Sequence, residues 1–203
     1  MAEHQRSLFA IGPAGVRSEV PVARRDLGRG AWLDVARGWL AGADDVLDHL
    51  IVTVPWQQGR RRMYDQVLDD PRLSYRYDAG EPLPHRVLSE IGAALGTRYG
   101  VSFGAVGLNY YRDGHDSVAP HADRELRDLD DTLVAVLTLG ACRPFLLRPT
   151  SGGPSVDVAP GSGDLLVMGG ACQRLHQHAV PKVARAGPRI SATWRWASRP
   201  ADR

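Results

Sequence analysis

From Gly100 onward the chain alternates short apolar runs with turn-forming clusters. The runs fall at 105–111, 133–139, 144–148, 155–158, 164–168 and 189–196, and each has the length and flanks of a β-strand. The run at 133–139 is apolar nearly throughout, which predicts a central strand covered on both faces. Thr150-Ser-Gly-Gly-Pro154 reads as a hairpin turn. Ahead of this block the periodicity is helical. Val46, Leu47 and Leu50 share one face of a segment from Gly42 to Leu50, and Val87, Leu88, Ile91 and Leu95 follow Pro84, with Gly96 or Gly100 as the stop. Between the helices, the Arg-, Tyr-, Asp- and Pro-rich stretch up to Pro84 predicts exposed hairpins or loops. Residues 1–25 are polar with scattered Gly and Pro and read as a flexible arm. The expectation is a mostly β fold with flanking helices, its successive short strands making a barrel or jelly roll.

Composition narrows this picture only slightly. A length of 203 residues fits one domain, taken here as 26–203, with helices and hairpins over 26–100 and the strand block over 101–197. No apolar run approaches the ~18 residues a membrane helix needs, and no signal-peptide pattern opens the chain, so the expected compartment is the cytoplasm. The two cysteines, Cys142 and Cys172, form neither a disulfide framework nor a CxxC pair, so a metal would have to be held by His and carboxylate. Net charge is +2, and Lys182 is the only lysine among many arginines. Genomic bias accounts for part of that excess; the planar guanidinium fork also suits carboxylates and phosphates.

Candidate chemistry enters through even spacing, which puts strand side chains on one face. Arg189, Ser191, Thr193 and Arg195 would share a face opposite Ile190, Ala192, Trp194 and Trp196. An all-polar face is ordinarily solvent-facing. The alternative is a polar cavity inside a barrel, where two arginines would require an anion such as a dicarboxylate. Asn109 and Tyr111 are likewise two apart, as are His121 and Asp123. A His-x-Asp pair plus one distant His makes the facial triad of non-haem iron oxygenases, which leaves coordination positions open for a 2-oxo acid and O2. His176 and His178 are both candidates for the distal ligand, and spacing does not choose between them. His4, His49, His85 and His115 lie outside the strand block or in turns.

Several ordered stretches resemble the AlkB-type nucleic-acid dealkylases among the Fe(II)- and 2-oxoglutarate-dependent oxygenases. They are Val54-Pro-Trp-Gln-Gln, Asp70-Pro-Arg-Leu, Asn109-Tyr-Tyr-Arg-Asp-Gly, Asp116-Ser-Val-Ala-Pro-His-Ala-Asp-Arg-Glu, Thr138-Leu-Gly-Ala-Cys-Arg-Pro-Phe, Gly163-Asp-Leu-Leu-Val-Met-Gly-Gly, Gln173 through His178-Ala-Val-Pro, and Arg189-Ile-Ser-Ala-Thr-Trp-Arg. The resemblance spans roughly residues 45–197. It implies a double-stranded β-helix (jelly-roll) core with an N-terminal helix and hairpin lid for nucleotide recognition. It assigns His121, Asp123 and His178 to iron, choosing His178 over His176 by the Ala-Val-Pro that follows. Asn109, Tyr111 and Arg189 match 2-oxoglutarate contacts, and Arg195 matches the second arginine, beside Asp123. Glu125 matches an acidic contact to the damaged base and Tyr75 or Tyr77 a stacking partner; apart from the resemblance, the Arg60, Arg61 and Arg62 run is a candidate for holding backbone phosphates, the alternative being a solvated basic loop. Pro120, His176, Trp194 and Arg76 stand where relatives carry other residues, which touches the base pocket and removes no ligand.

The implied activity is oxidative demethylation of N-alkylated bases in DNA, of the 1-methyladenine and 3-methylcytosine type. It is coupled to decarboxylation of 2-oxoglutarate and releases formaldehyde and succinate. The alternatives are the same chemistry on RNA such as tRNA, a small-molecule hydroxylase, or a non-catalytic nucleic-acid-binding homologue. The chain is expected to be a monomer with no membrane partner. Gln5-Arg-Ser-Leu-Phe9 also resembles the short peptide by which bacterial proteins dock on the replication sliding clamp.

Overall fold

A computed structural model describes residues 12–63 and 66–198. The Gln5–Phe9 peptide lies outside the described residues, as do the side chains of Arg61 and Arg62. Strands β1 (Gly15–Val16), β2 (Ala23–Gly28), β3 (Ala31–Ala36) and β4 (Leu40–Ala41) precede helix α1 (Ala43–Thr53). Then come β5 (Gln57–Met63), β6 (Gln66–Tyr77) and helix α2 (Arg86–Tyr99). The strand block comprises β7 (Val106–Tyr111), β8 (Val118–His121), β9 (Thr132–Gly140), β10 (Leu146–Pro149), β11 (Val156–Asp157) and β12 (Leu165–Gly170). After the short helix α3 (Cys172–Leu175) it ends with β13 (His176–Val180) and β14 (Arg189–Ala197).

The strands make a major sheet in the order β2-β3-β12-β9-β14-β7-β6-β5 and a minor sheet in the order β11-β10-β13-β8. All ladders are antiparallel, including the hairpin turn expected at Thr150–Pro154. This is the jelly-roll arrangement expected. Every residue of β9 is buried because both faces of the strand are covered. Leu133, Ala135, Leu137 and Leu139 pack into the core shared with α1 and α2, while Val134 and Val136 join the second core beneath the minor sheet. The apolar residues of α2 are buried as their spacing predicts, with His85 as N-cap and Gly100 left-handed at the C-terminus.

The expected arm reaches too far. Gly15–Val16 pairs with β4, and β2 extends the major sheet beyond β3. The β2 sequence gives no strand signal because it is an exposed edge of polar side chains. Asp34 anchors it, accepting two bonds from Arg24 at 2.7 and 2.8 Å and one from Tyr99 Oη at 2.9 Å. Gly169 permits close approach of β12 to β3, since a Cβ there would enter the Trp32 indole.

Candidate active site

The cavity lies between the two sheets and has a volume of about 380 Å³. His178 on β13 and His121 at the end of β8 are direct cross-strand partners, with ring centroids 4.2 Å apart. Asp123 follows two residues after His121. Ligand atoms from His121, Asp123 and His178 all lie within 4.8 Å of one another. Among the described residues they are the group of three or more His, Cys, Asp or Glu side chains able to share one ion. His176 is buried on the same strand but outside that group, so proximity now selects His178.

Each ligand is oriented. His121 Nδ1 sits 3.0 Å from the Ala119 carbonyl oxygen, leaving Nε2 on the Asp123 side, 3.7 Å from Oδ1. Phe145 lies parallel to the His178 ring at 5.8 Å. The Asp123 carboxylate accepts from Arg195 Nε at 2.7 Å, and its backbone N–H donates to Gln173 Oε1 at 2.9 Å. Burial pushes the Asp123 carboxyl up, but the Arg195 charge and hydrogen bond outweigh it and hold it below the usual range. Burial, with His121 adding to it, drives His178 down to about 3. A His178 imidazole kept neutral by burial, a second imidazole from His121 and one ionised carboxylate are the donor set a divalent iron site needs, so these residues fit the metal.

The opposite wall is cationic. The β14 residues expected on one polar face do line the inside: Ser191, Thr193 and Arg195 border the cavity. Arg189 is fully buried, and its guanidinium donates to Thr138 Oγ1 at 3.1 Å and the Arg143 carbonyl at 3.4 Å, with no carboxylate among its hydrogen-bond partners. Its Nε has no partner. Burial lowers its pKa to about 10, the mark of a charge lacking a counter-ion. Asn109 and Tyr111 line the same wall. Burial raises the Tyr111 phenol against the pull of Arg72, Arg189 and Arg143.

The β6 strand departs from expectation. Cross-strand partners share a face, and Ser74 pairs with Asn109 while Arg76 pairs with Gly107, so Ser74 and Arg76 turn to the cavity. Tyr77, expected to stack on the base, pairs with core residue Val106 and is 9% exposed on the helix side. Tyr75 touches the cavity edge but packs against that same core, its ring 4.8 Å from that of Tyr77. Arg72, which spacing did not single out, lines the cavity and donates from Nε to Asn109 Oδ1 at 2.8 Å. Glu125 is exposed and sits in an adjoining groove bordered by Arg76, Gly107 and Arg195, not in the cavity itself. Arg60 is on the outer hairpin strand, ion-paired to Asp69 at 3.1 Å.

Arg72 could have been found from the alternation of Arg72, Ser74 and Arg76 with Leu73, Tyr75 and Tyr77. Gln173 carries no local signal, because it reaches Asp123 across 50 residues.

Comparison with known proteins agrees with this geometry. Residues 51–195 match the family model described as the 2OG-Fe(II) oxygenase superfamily. A mouse protein (Mus musculus), alpha-ketoglutarate-dependent dioxygenase alkB homolog 3, is 33% identical over 177 residues, covering 77% of this chain and 62% of its own length. The chain thus spans under two thirds of that relative. The Arabidopsis thaliana protein DNA oxidative demethylase ALKBH2 is 28% identical over 216 residues, covering 84% of this chain and 68% of that one. Among solved structures, a Trichoplax adhaerens prolyl hydroxylase shares the fold with a TM-score of 0.62 at 12% identity, covering 81% of this chain and 83% of that one.

Proposed function

The chain belongs to the 2OG-Fe(II) oxygenase superfamily as an AlkB-type member, and on that premise we propose that it oxidatively demethylates N-alkylated bases in DNA. The reaction consumes 2-oxoglutarate and O2 and yields succinate, CO2, formaldehyde and the unmodified base. One observation carries the reading: the His121–Asp123–His178 cluster faces a cavity lined by Tyr111, whose cross-strand partner is the buried, anion-lacking Arg189.

His121, Asp123 and His178 would hold Fe(II), and the bound ion supplies the oxygen activation and oxidation of the N-methyl group. The remaining steps belong to the chain's own residues. Arg189 would pair with the distal carboxylate of 2-oxoglutarate, relieving its buried charge, with Tyr111 and Asn109 beside it. Arg195 keeps Asp123 ionised and fixes its rotamer. Gln173 holds the backbone that carries Asp123. Phe145, Val134 and Val136 line the cavity with apolar surface and exclude water.

DNA is favoured by the name of the Arabidopsis thaliana relative; RNA is the second substrate the same chemistry would serve. The test measures formaldehyde released from single-stranded DNA and RNA oligonucleotides, each bearing one N-methylated base, and succinate formed without oligonucleotide. Release from DNA is expected, with loss of both release and Fe(II) uptake in Asp123→Ala. Undiminished turnover in that variant refutes the metal assignment, and succinate formation indifferent to nucleic acid refutes the substrate class.

A further inference from the structure

The two metal histidines face each other across a short, irregular ladder. β8 is the edge strand of the minor sheet, and it pairs with β13 at His121–His178 and Val118–Val180, with a shift of register between the two pairs. Proline interrupts both strands: Pro120 lies within β8, and Pro181 directly follows β13. Neither has an N–H to give to a ladder. Backbone pairing alone therefore leaves His121 loosely set against His178.

Arg143 closes the open end of that ladder. Its side chain is fully buried, in the connection between β9 and β10. Nη2 donates to the Asp116 carbonyl at 2.8 Å and to the Pro181 carbonyl at 2.6 Å. One nitrogen thus bridges the chain just before β8 and the chain just after β13, beyond the Val118–Val180 pair. Nη1 donates to the Asp113 carbonyl at 2.9 Å, and the Val183 N–H joins the same two connections by donating to the Gly114 carbonyl at 2.9 Å. Among the described residues no carboxylate hydrogen-bonds to Arg143, because Arg112 takes the Asp116 side chain, and Nε has no partner. Burial presses its pKa down. A charge buried in this way costs stability, so stability does not explain it. Reaching three carbonyls at once from one planar fork is something a guanidinium does and an ammonium does not. The segment touches the rest of the site as well. The Arg143 carbonyl accepts from Arg189 at 3.4 Å, and two residues on, Phe145 lies parallel to the His178 ring. Resting on the metal assignment above, we propose that Arg143 is a positioning residue for the iron site: its fork holds the ends of β8 and β13 together and so sets the His121 imidazole against that of His178.

The test uses the full chain with Co(II) as the probe ion, and Arg143→Lys, which keeps the charge and loses the fork. Co(II) affinity is expected to fall by ~10–100-fold, as on losing an outer partner of a metal ligand, and the visible absorption bands of the bound ion should shift. Affinity for 2-oxoglutarate at saturating Co(II) should fall far less, because the carbonyl that receives Arg189 is main chain and remains. Unaltered Co(II) affinity and bands in Arg143→Lys overturn the proposal, whatever the melting temperature does. An equal fall in both affinities also overturns it, since that marks a general loosening of the site. If the variant does not fold, hydrogen exchange in the unaltered protein decides. Coupling is reciprocal, so Co(II) should slow exchange of the Val183 amide, and an unchanged rate overturns the proposal. Uptake of Co(II) by the unaltered protein keeps the metal assignment standing when this inference fails. If the unaltered protein takes up no Co(II), the two fall together.

Discussion

The two ends of the cavity are built to different tolerances. At the metal corner each ligand side chain is packed or bonded in place: Asp123 by Arg195 and Gln173, His121 by the Ala119 carbonyl, and the His178 ring between His121 and Phe145. At the β5–β6 hairpin the polar groups are long, exposed side chains paired mostly with one another, as in Arg60–Asp69 and Arg76–Asp78. A reaction centre demands fixed donors within tenths of an ångström, whereas a surface that meets a polymer can adjust. The corner therefore reports the chemistry and the hairpin reports what the chemistry is done to. Changes at the two ends should have different signatures.

The sharpest break comes from Arg189, at the rigid end. A fully buried guanidinium with no anion among its partners is a liability to the empty protein and an asset only once a carboxylate arrives. Arg189→Met should weaken 2-oxoglutarate binding by at least ~100-fold, as losing a buried charge pair does. The same change should leave the unliganded protein as stable as before or more so, by about 1–3 kcal/mol. Calorimetric titration and thermal melts with and without 2-oxoglutarate check both halves. A variant that binds 2-oxoglutarate normally would remove Arg189 from the co-substrate site.

Gln173 tests whether the corner depends on its support. It is 1% exposed, and its Oε1 is the acceptor for the buried Asp123 N–H. Gln173→Leu preserves bulk but orphans that donor. Losing such an outer partner should weaken metal affinity by ~10–100-fold. A metal titration reads this directly, and unaltered affinity would show that Arg195 alone positions Asp123.

The same contrast explains what the sequence disclosed. The continuous apolar run of β9 and the polar stripe of β14 were legible because burial dictates which side chains each strand face can carry. The triad's His-x-Asp was legible because it is local, while its second histidine needed either the family resemblance or the β8–β13 pairing that sets His178 opposite His121. The β2 edge was not legible, since an exposed strand is under no such constraint. Tyr77 was misplaced for a different reason. Aromatic residues in an Arg-rich stretch invite a binding role, yet the pairing of Tyr77 with Val106 sends that strand face to the helices. A one-residue shift in register would have exchanged tyrosines and arginines.

The smallest expected effect is at the hairpin and comes from Arg60. Its side chain is 75% exposed and that of its partner Asp69 is 62% exposed. An ion pair so open to solvent contributes roughly 0–1 kcal/mol, so Arg60→Gln should leave the melting temperature nearly unchanged. If the hairpin meets phosphate, the same substitution should still lower oligonucleotide affinity, by an amount that shrinks as salt rises. The slope of log affinity against log salt should decrease by roughly 0.7, the contribution of one phosphate contact to a single strand. A solvated basic loop with no polymer contact predicts the same melting curve but an unchanged slope. The salt titration therefore separates two roles that stability cannot, and it does so at the end of the cavity where stability carries least information.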